Sequence, residues 1–97
     1  MKVSDLTPEY VGNWLGYGSE LSDDDIRELS AAIPAAVSRA AAFTGLTVEQ
    51  MDQHPDITIA VLGICNDMLT GNRPEWTETP MNRMSASILA MHSVNYL

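Results

Sequence analysis

Little in this chain is suited to chemistry. Among 97 residues there is one cysteine, five lysines and arginines together, one phenylalanine, two tryptophans and three tyrosines. A single cysteine, Cys65, excludes an internal disulfide and suits a reducing interior. Five scattered basic residues set against 13 acidic ones give a formal net charge of −8. Reading a nucleic-acid backbone needs clustered Lys and Arg, so direct DNA recognition is not expected. The same charge opposes an anionic membrane leaflet. No stretch approaches the roughly 18 apolar residues of a membrane span. The opening MKVSDLTPEY holds no apolar run of signal-peptide length, so the cytosol is the default expectation. No glycine-rich phosphate loop, nucleophile–base pair or cofactor fingerprint is legible. His54 and His92 stand far apart in sequence, with no second metal-type ligand at helical spacing to either. The reading is therefore of a chain with no catalytic residues, no cofactor and no metal, and not of an enzyme.

What is present is helical punctuation. Thr7-Pro8-Glu9 combines a hydroxyl cap, proline at the first helical position and an acid in the first turn. Leu6, Tyr10, Val11, Trp14 and Leu15 then share one face, and Gly16 and Gly18 end this short helix. Ser22 starts a longer one, with Asp23, Asp24 and Asp25 against the positive end of its dipole. Consecutive aspartates point around a helix, so capping explains the run better than metal binding does. Ile26, Leu29, Ile33, Ala36, Ala40 and Phe43 recur at steps of three and four, forming a stripe that Gly45 stops. Pro34 removes a backbone hydrogen bond, and a kink is expected between Ser30 and Pro34. Many alanines keep the helix thin enough for a second helix to approach closely.

Thr47 caps a short acidic turn reaching Gln53, and His54-Pro55-Asp56 opens a third main helix. Its stripe is Ile57, Val61, Ile64 and Met68, with Ala60, Cys65 and Leu69 alongside, and Gly71 is its natural end. Cys65 reads as a small core residue on this helix. A last helix is expected from about Met81 to Asn95, with Met84, Ile88, Leu89 and Met91 facing the core. No segment alternates with period two for long enough to demand a strand. The fold class is all-α: one domain over residues 1–97, a small bundle of about four helices, one of them long and kinked, with a proline-flanked loop before the last. A domain of this size buries only roughly 60–65% of its unfolded surface, so association would add stability.

Trp76 falls outside every stripe. It sits between Pro74 and Pro80, beside Arg73, and has two readings: a lid on one end of the helices, or an anchor for a partner, since Trp and Arg dominate binding hot spots.

The order of elements resembles the head–tail connector (adaptor) proteins of long-tailed bacteriophages. The likeness lies in a capped first helix, a long acidic-started helix closing on Phe43-Thr44-Gly45, and a third helix opening Pro55-Asp56-Ile57. Pro80 before the final helix and Tyr96 near the C-terminus complete it. Its motifs are short, and the chain departs from the family pattern at Met68 to Arg73 and after Tyr96, where no arginine follows. The resemblance implies a homo-oligomeric ring, dodecameric in the assembled particle, docked beneath the portal protein. Such a ring bridges to a stopper or tail-completion protein and continues the channel through which DNA passes without specific binding, at the head–tail interface of the virion. No membrane is involved, and the host cytoplasm is where assembly takes place. Candidate interface residues are Arg73, Trp76, Arg83, Tyr96 and Leu97; candidates for an acidic channel face are Glu20, Asp23, Asp24, Asp25 and Glu28. The alternative is a small acidic helical regulator or interaction module that binds one host or phage protein.

Overall fold

The computed structural model describes residues 2–18, 20–70 and 82–94. Among the described residues, five α-helices follow a 3-10 turn at Val3–Asp5: α1 Pro8–Trp14, α2 Asp23–Thr44, α3 Val48–Met51, α4 Pro55–Thr70 and α5 Arg83–His92. No strand occurs among the described residues. The all-α reading holds.

The caps lie where the side chains dictate. Thr7 Oγ1 accepts from Tyr10 N at 3.2 Å, with Pro8 at the first helical position. At α2, Ser22 Oγ accepts from Asp25 N at 3.1 Å while Asp25 Oδ2 accepts from Ser22 N at 3.2 Å, a reciprocal capping box. Thr47 and Gln50 repeat that arrangement at α3. α2 closes on Gly45 at φ +78°, a left-handed position that favours glycine.

The core is built around α4, which packs between α2 and α5. α2 contributes Leu29, Ala32, Ile33, Ala36 and Ala40, and α4 contributes Ile57, Ala60, Val61, Leu62, Ile64, Cys65 and Met68. Val3, Val11 and Met51 close the same cluster from the N-terminal turn, α1 and α3. The buried alanines of α2 let its backbone come close to α4, so the thin helix is used inside the molecule. Gly12 does the same where α1 crosses α2, because a Cβ there would lie 2.9 Å from a methyl of Leu21 and 3.2 Å from one of Leu29.

Several expectations need correction. The α2 stripe is buried only in its middle; Ile26 and Phe43 are 38% and 40% exposed, because α4 is shorter than α2 and does not reach both ends. On α1, Val11 is fully buried but Tyr10 and Trp14 face solvent for a third to a half of their surface. The single long proline-bearing helix is as expected, since α2 holds Pro34 inside one element, exposed, while Ile33 and Ala36 are buried and packing carries the helix across the missing hydrogen bond. α5 ends at His92, since Ser93 is already extended (φ −70°, ψ 137°). Its core face is Ser85 and Leu89, with Ile88 partly buried, and Met84 and Met91 point outward. The serine at that position displaces the methionines because α5 sits close against α4, where only a small side chain fits.

Candidate functional site

Three groups of side chains remain once the core is accounted for. The first is the acidic end of α2. Glu20, Asp23, Asp24 and Glu28 are exposed there, while Asp25 is half-buried in the capping box. Asp24 meets Arg27 at 3.1 Å, with both side chains about four-fifths exposed, so the pair adds little to stability. Burial pushes the Tyr17 hydroxyl above its ordinary range, reinforced by the charges of Glu28 and Asp25, so these two carboxylates lie on the side of α2 that faces Tyr17. Beside them is an open cleft lined by Glu9, Asn13, Gly18, Leu21 and Ile26. Glu9 thus extends the acidic rim onto α1, a residue that sequence reasoning placed only as a helix-start acid.

The second group is apolar and exposed. Val94 N donates to Thr44 O at 2.7 Å and Ser93 Oγ to Phe43 O at 3.3 Å, which brings Phe43 and Val94, 40% and 63% exposed, to one end of the molecule. At the other end of α5, Met84 is half exposed and its Cε lies 3.7 Å from where a Cβ on Gly63 would stand. Ile59, one turn before Gly63 on α4, is also nearly half exposed. Met84 in the first turn of α5 and Val94 beyond its last stand most of a ten-residue helix apart, about 15 Å, with the exposed Met91 between them.

The third group was not foreseen. His54 and His92, 38 positions apart, lie with ring centroids 4.2 Å apart, and His92 Nε2 is 2.8 Å from Asp56 Oδ2. The hydrogen bond to His92 holds the Asp56 carboxyl below its usual range against an opposing effect of burial, and the charges of His92 and His54 add to the lowering. The signal was in the sequence as two histidines, one at the start of α4 and one at the end of α5, but only the antiparallel packing of those helices joins them. Among the described residues, no cluster of three His, Cys, Asp or Glu side chains is arranged to hold a metal ion.

Of the candidate interface residues, Arg83 is exposed in the first turn of α5. Arg73, Trp76, Tyr96 and Leu97 lie outside the described residues, as do Gly71 and Pro80. Cys65 is fully buried, and desolvation pushes its thiol up to about 12, so it is a packing residue at neutral pH. No described helix is long and apolar enough to cross a membrane. Compared with protein families, with curated proteins and with solved structures, the chain gives no match.

Proposed function

We propose that this chain is a structural assembly subunit, a connector of the head–tail type found in long-tailed phages, acting as a ring beneath the portal and joining it to tail-completion proteins. The observation that carries the proposal is the exposed apolar surface along α5, from Met84 in its first turn through Met91 in its last to Val94 and Phe43 beyond its end. A ring of identical subunits closes through heterologous contacts, in which one patch of a subunit meets a different patch of the next. An exposed apolar surface that differs from one end to the other, Met84 at the start of α5 and Phe43 with Val94 at its end, suits a contact between unlike parts of neighbouring subunits. The Phe43-Thr44-Gly45 phrase, which the chain shares with the connector family by resemblance, has a physical role consistent with it, since Thr44 ties the end of α2 to the end of α5.

The acidic end of α2 supports the channel half of the reading. A wall of carboxylates offers DNA no phosphate partners and releases no counterions, so the duplex slides without sticking. Glu20, Asp23, Asp24 and Glu28 are the side chains to neutralise, leaving Asp25 to its cap. The test of the assembly is native mass spectrometry and negative-stain imaging of the protein alone and with a portal ring. Closed rings on the portal support the proposal; a chain that stays monomeric in the presence of portal overturns it and favours the interaction module, for which the half-exposed Trp14 is the natural anchor. Neutralising the four carboxylates should slow DNA release from assembled particles, and unchanged release would remove the channel assignment.

A further inference from the structure

We propose that the cleft between α1 and the start of α2 receives the Arg83–Met84 corner of a second copy of this chain, with Glu9 facing the guanidinium and Leu21 and Ile26 the thioether. The contact deepens the assembly reading and rests on it, naming two unlike surfaces through which neighbouring subunits meet.

The cleft is open, about 380 Å³ in volume, and its floor is apolar and fixed. Leu21 is wedged where α1 crosses α2, with one methyl 2.9 Å from the position a Cβ on Gly12 would take. Ile26 stands on the first turns of α2 and is 38% exposed, which leaves apolar surface open to solvent. At Gly18 an added Cβ would meet nothing within 4 Å, so that wall leaves the entrance clear. On the rim, Glu9 is exposed and makes no ion pair among the described residues. Arg27, next to Ile26, is turned to Asp24.

The corner is the complement of that cleft. Arg83 and Met84 are adjacent and exposed in the first turn of α5, with Met84 51% open to solvent. α1, α2, α3 and α4 each carry an acidic residue in the first turn, and α5 carries none. A cation there lies against the positive end of the helix dipole and gains from a carboxylate supplied from outside. Asp67 on α4 directs one oxygen to the N and Nδ2 of Asn82, at 3.1 and 2.8 Å. Arg83 makes no ion pair among the described residues.

Charge decides the occupant. Copies of a chain with net charge −8 repel one another, so they meet where unlike charges and apolar surface face each other. The charge of Lys2 acts on Asp52 and Arg27 pairs with Asp24, whereas Arg83 stands exposed beside an exposed apolar side chain. Cleft and corner belong to different elements, so the contact is heterologous and repeats from copy to copy, as a closed ring requires. It takes Glu9 and leaves the four carboxylates assigned to the channel unused.

The experiment is sedimentation velocity on the full chain at concentrations up to about 1 mM, where weak contacts register. The parent should associate beyond the dimer. Arg83→Glu should weaken that association roughly fivefold, the worth of one exposed ion pair. The same change places an acid in the first turn of α5 and should leave thermal stability equal or higher, which separates a contact role from a structural one. Glu9→Arg should weaken association likewise. An equal mixture of the Glu9→Arg and Arg83→Glu chains should recover the association of the parent, because each cleft then finds the opposite charge on the other variant's corner. A parent chain that is monomeric at about 1 mM, association that both substitutions leave unchanged, or a mixture that does not recover would each overturn the contact. Rings imaged on the portal in any of those cases would show that the assembly reading stands without it. Amide shifts at Glu9, Asn13 and Ile26 on adding an arginine-rich peptide to a chain that stays monomeric would give the cleft to another protein, and would also overturn the second-copy assignment.

Discussion

Ser85 on α5 lies directly over Gly63 on α4. Its Oγ donates to the carbonyl of Ala60 at 2.9 Å, and both Gly63 and Ser85 are buried. A Cβ built on Gly63 would collide with that hydroxyl and stand 3.0 Å from Asn82 Nδ2. Asn82 is itself fixed, since its Oδ1 accepts from Ser85 N at 2.8 Å while its N and Nδ2 donate to Asp67 Oδ2 at 3.1 and 2.8 Å. The glycine is therefore what lets the two helices touch.

Gly63→Ala sets two effects against each other. In an exposed helix interior the change would stabilise by about 1 kcal/mol through propensity. Here the new methyl overpacks a rigid, hydrogen-bonded contact, which costs typically 1–3 kcal/mol. A net loss of up to about 2 kcal/mol is expected by urea denaturation. Ser85→Ala in the same chain removes the colliding oxygen, so the double variant should lose less than the sum of the two single changes. Strict additivity would show that the two residues do not meet.

Thr44 is a second point where one side chain serves several elements. It is fully buried; its Oγ1 donates to Ala40 O at 2.8 Å and accepts from Leu46 N at 3.2 Å, and its carbonyl accepts from Val94 N at 2.7 Å. Thr44→Val keeps the shape and leaves Leu46 N without its acceptor. Stability should drop by about 1 kcal/mol, the low end of the cost of an unsatisfied donor, since Leu46 N is only part-buried. The loss should be accompanied by faster amide exchange at Leu46, whereas Phe43→Ala, at an exposed site, should cost less.

These two sites also mark where the sequence is legible. The helix starts at Thr7, Ser22 and Thr47 and the stop at Gly45 depend on side chains within three residues of the backbone they serve, and each can be read from the chain. The α4 stripe is legible because the helix is enclosed on most sides. α5 is not: periodicity nominates Met84 and Met91 for the core, but the close approach through Gly63 admits Ser85 instead and turns the methionines outward. Periodicity reports which residues share a face, and only the neighbouring backbone decides how near that face is approached. The same limit hid the His54–His92 contact, which exists because α4 and α5 pack antiparallel. The acidic residues of α2 were visible, but their division into a cap (Asp25), an ion pair (Asp24) and open carboxylates (Glu20, Asp23, Glu28) depends on rotamers.

Cys65 sets an alkaline limit. Its thiol is pushed up to about 12 in the folded chain by desolvation, above the value of about 8.5 for an exposed thiol. A group raised on folding contributes stability that is complete below its unfolded value and lost as pH rises through the folded one. The native state should therefore weaken between about pH 9 and pH 12 by up to about 1.4 kcal/mol per pH unit from this group. Cys65→Ala should flatten that slope relative to the parent. A thiol reagent at neutral pH should label Cys65 no faster than the chain unfolds, and rapid labelling of native protein would show that the residue is not enclosed.

Asp56 sets the acid limit. The hydrogen bond to His92 is the main reason its carboxyl sits below the ordinary range, and Asp52 is lowered likewise by its bonds from the Ser4 hydroxyl and backbone N. A carboxyl lowered on folding contributes stability that is present above the unfolded value, about 3.9, and lost as pH falls through the folded one. Thermal denaturation followed by circular dichroism should show a midpoint that is steady above about pH 5 and declines below about pH 4. Asp56→Asn should lower the midpoint at pH values where the carboxylate is charged, and its curve should meet that of the parent at the acid end, where both side chains are neutral. Asp52→Asn should behave the same way, with its local effect confined to the N-terminal turn at Val3–Asp5. Because both carboxylates are partly open to solvent, added salt should shrink the Asp56–His92 contribution more than the hydrogen-bonded Asp52–Ser4 one, in which only one partner is charged. A midpoint that falls equally in the parent and in Asp56→Asn from neutral pH to about pH 3 would mean that the Asp56–His92 contact contributes nothing to the native state.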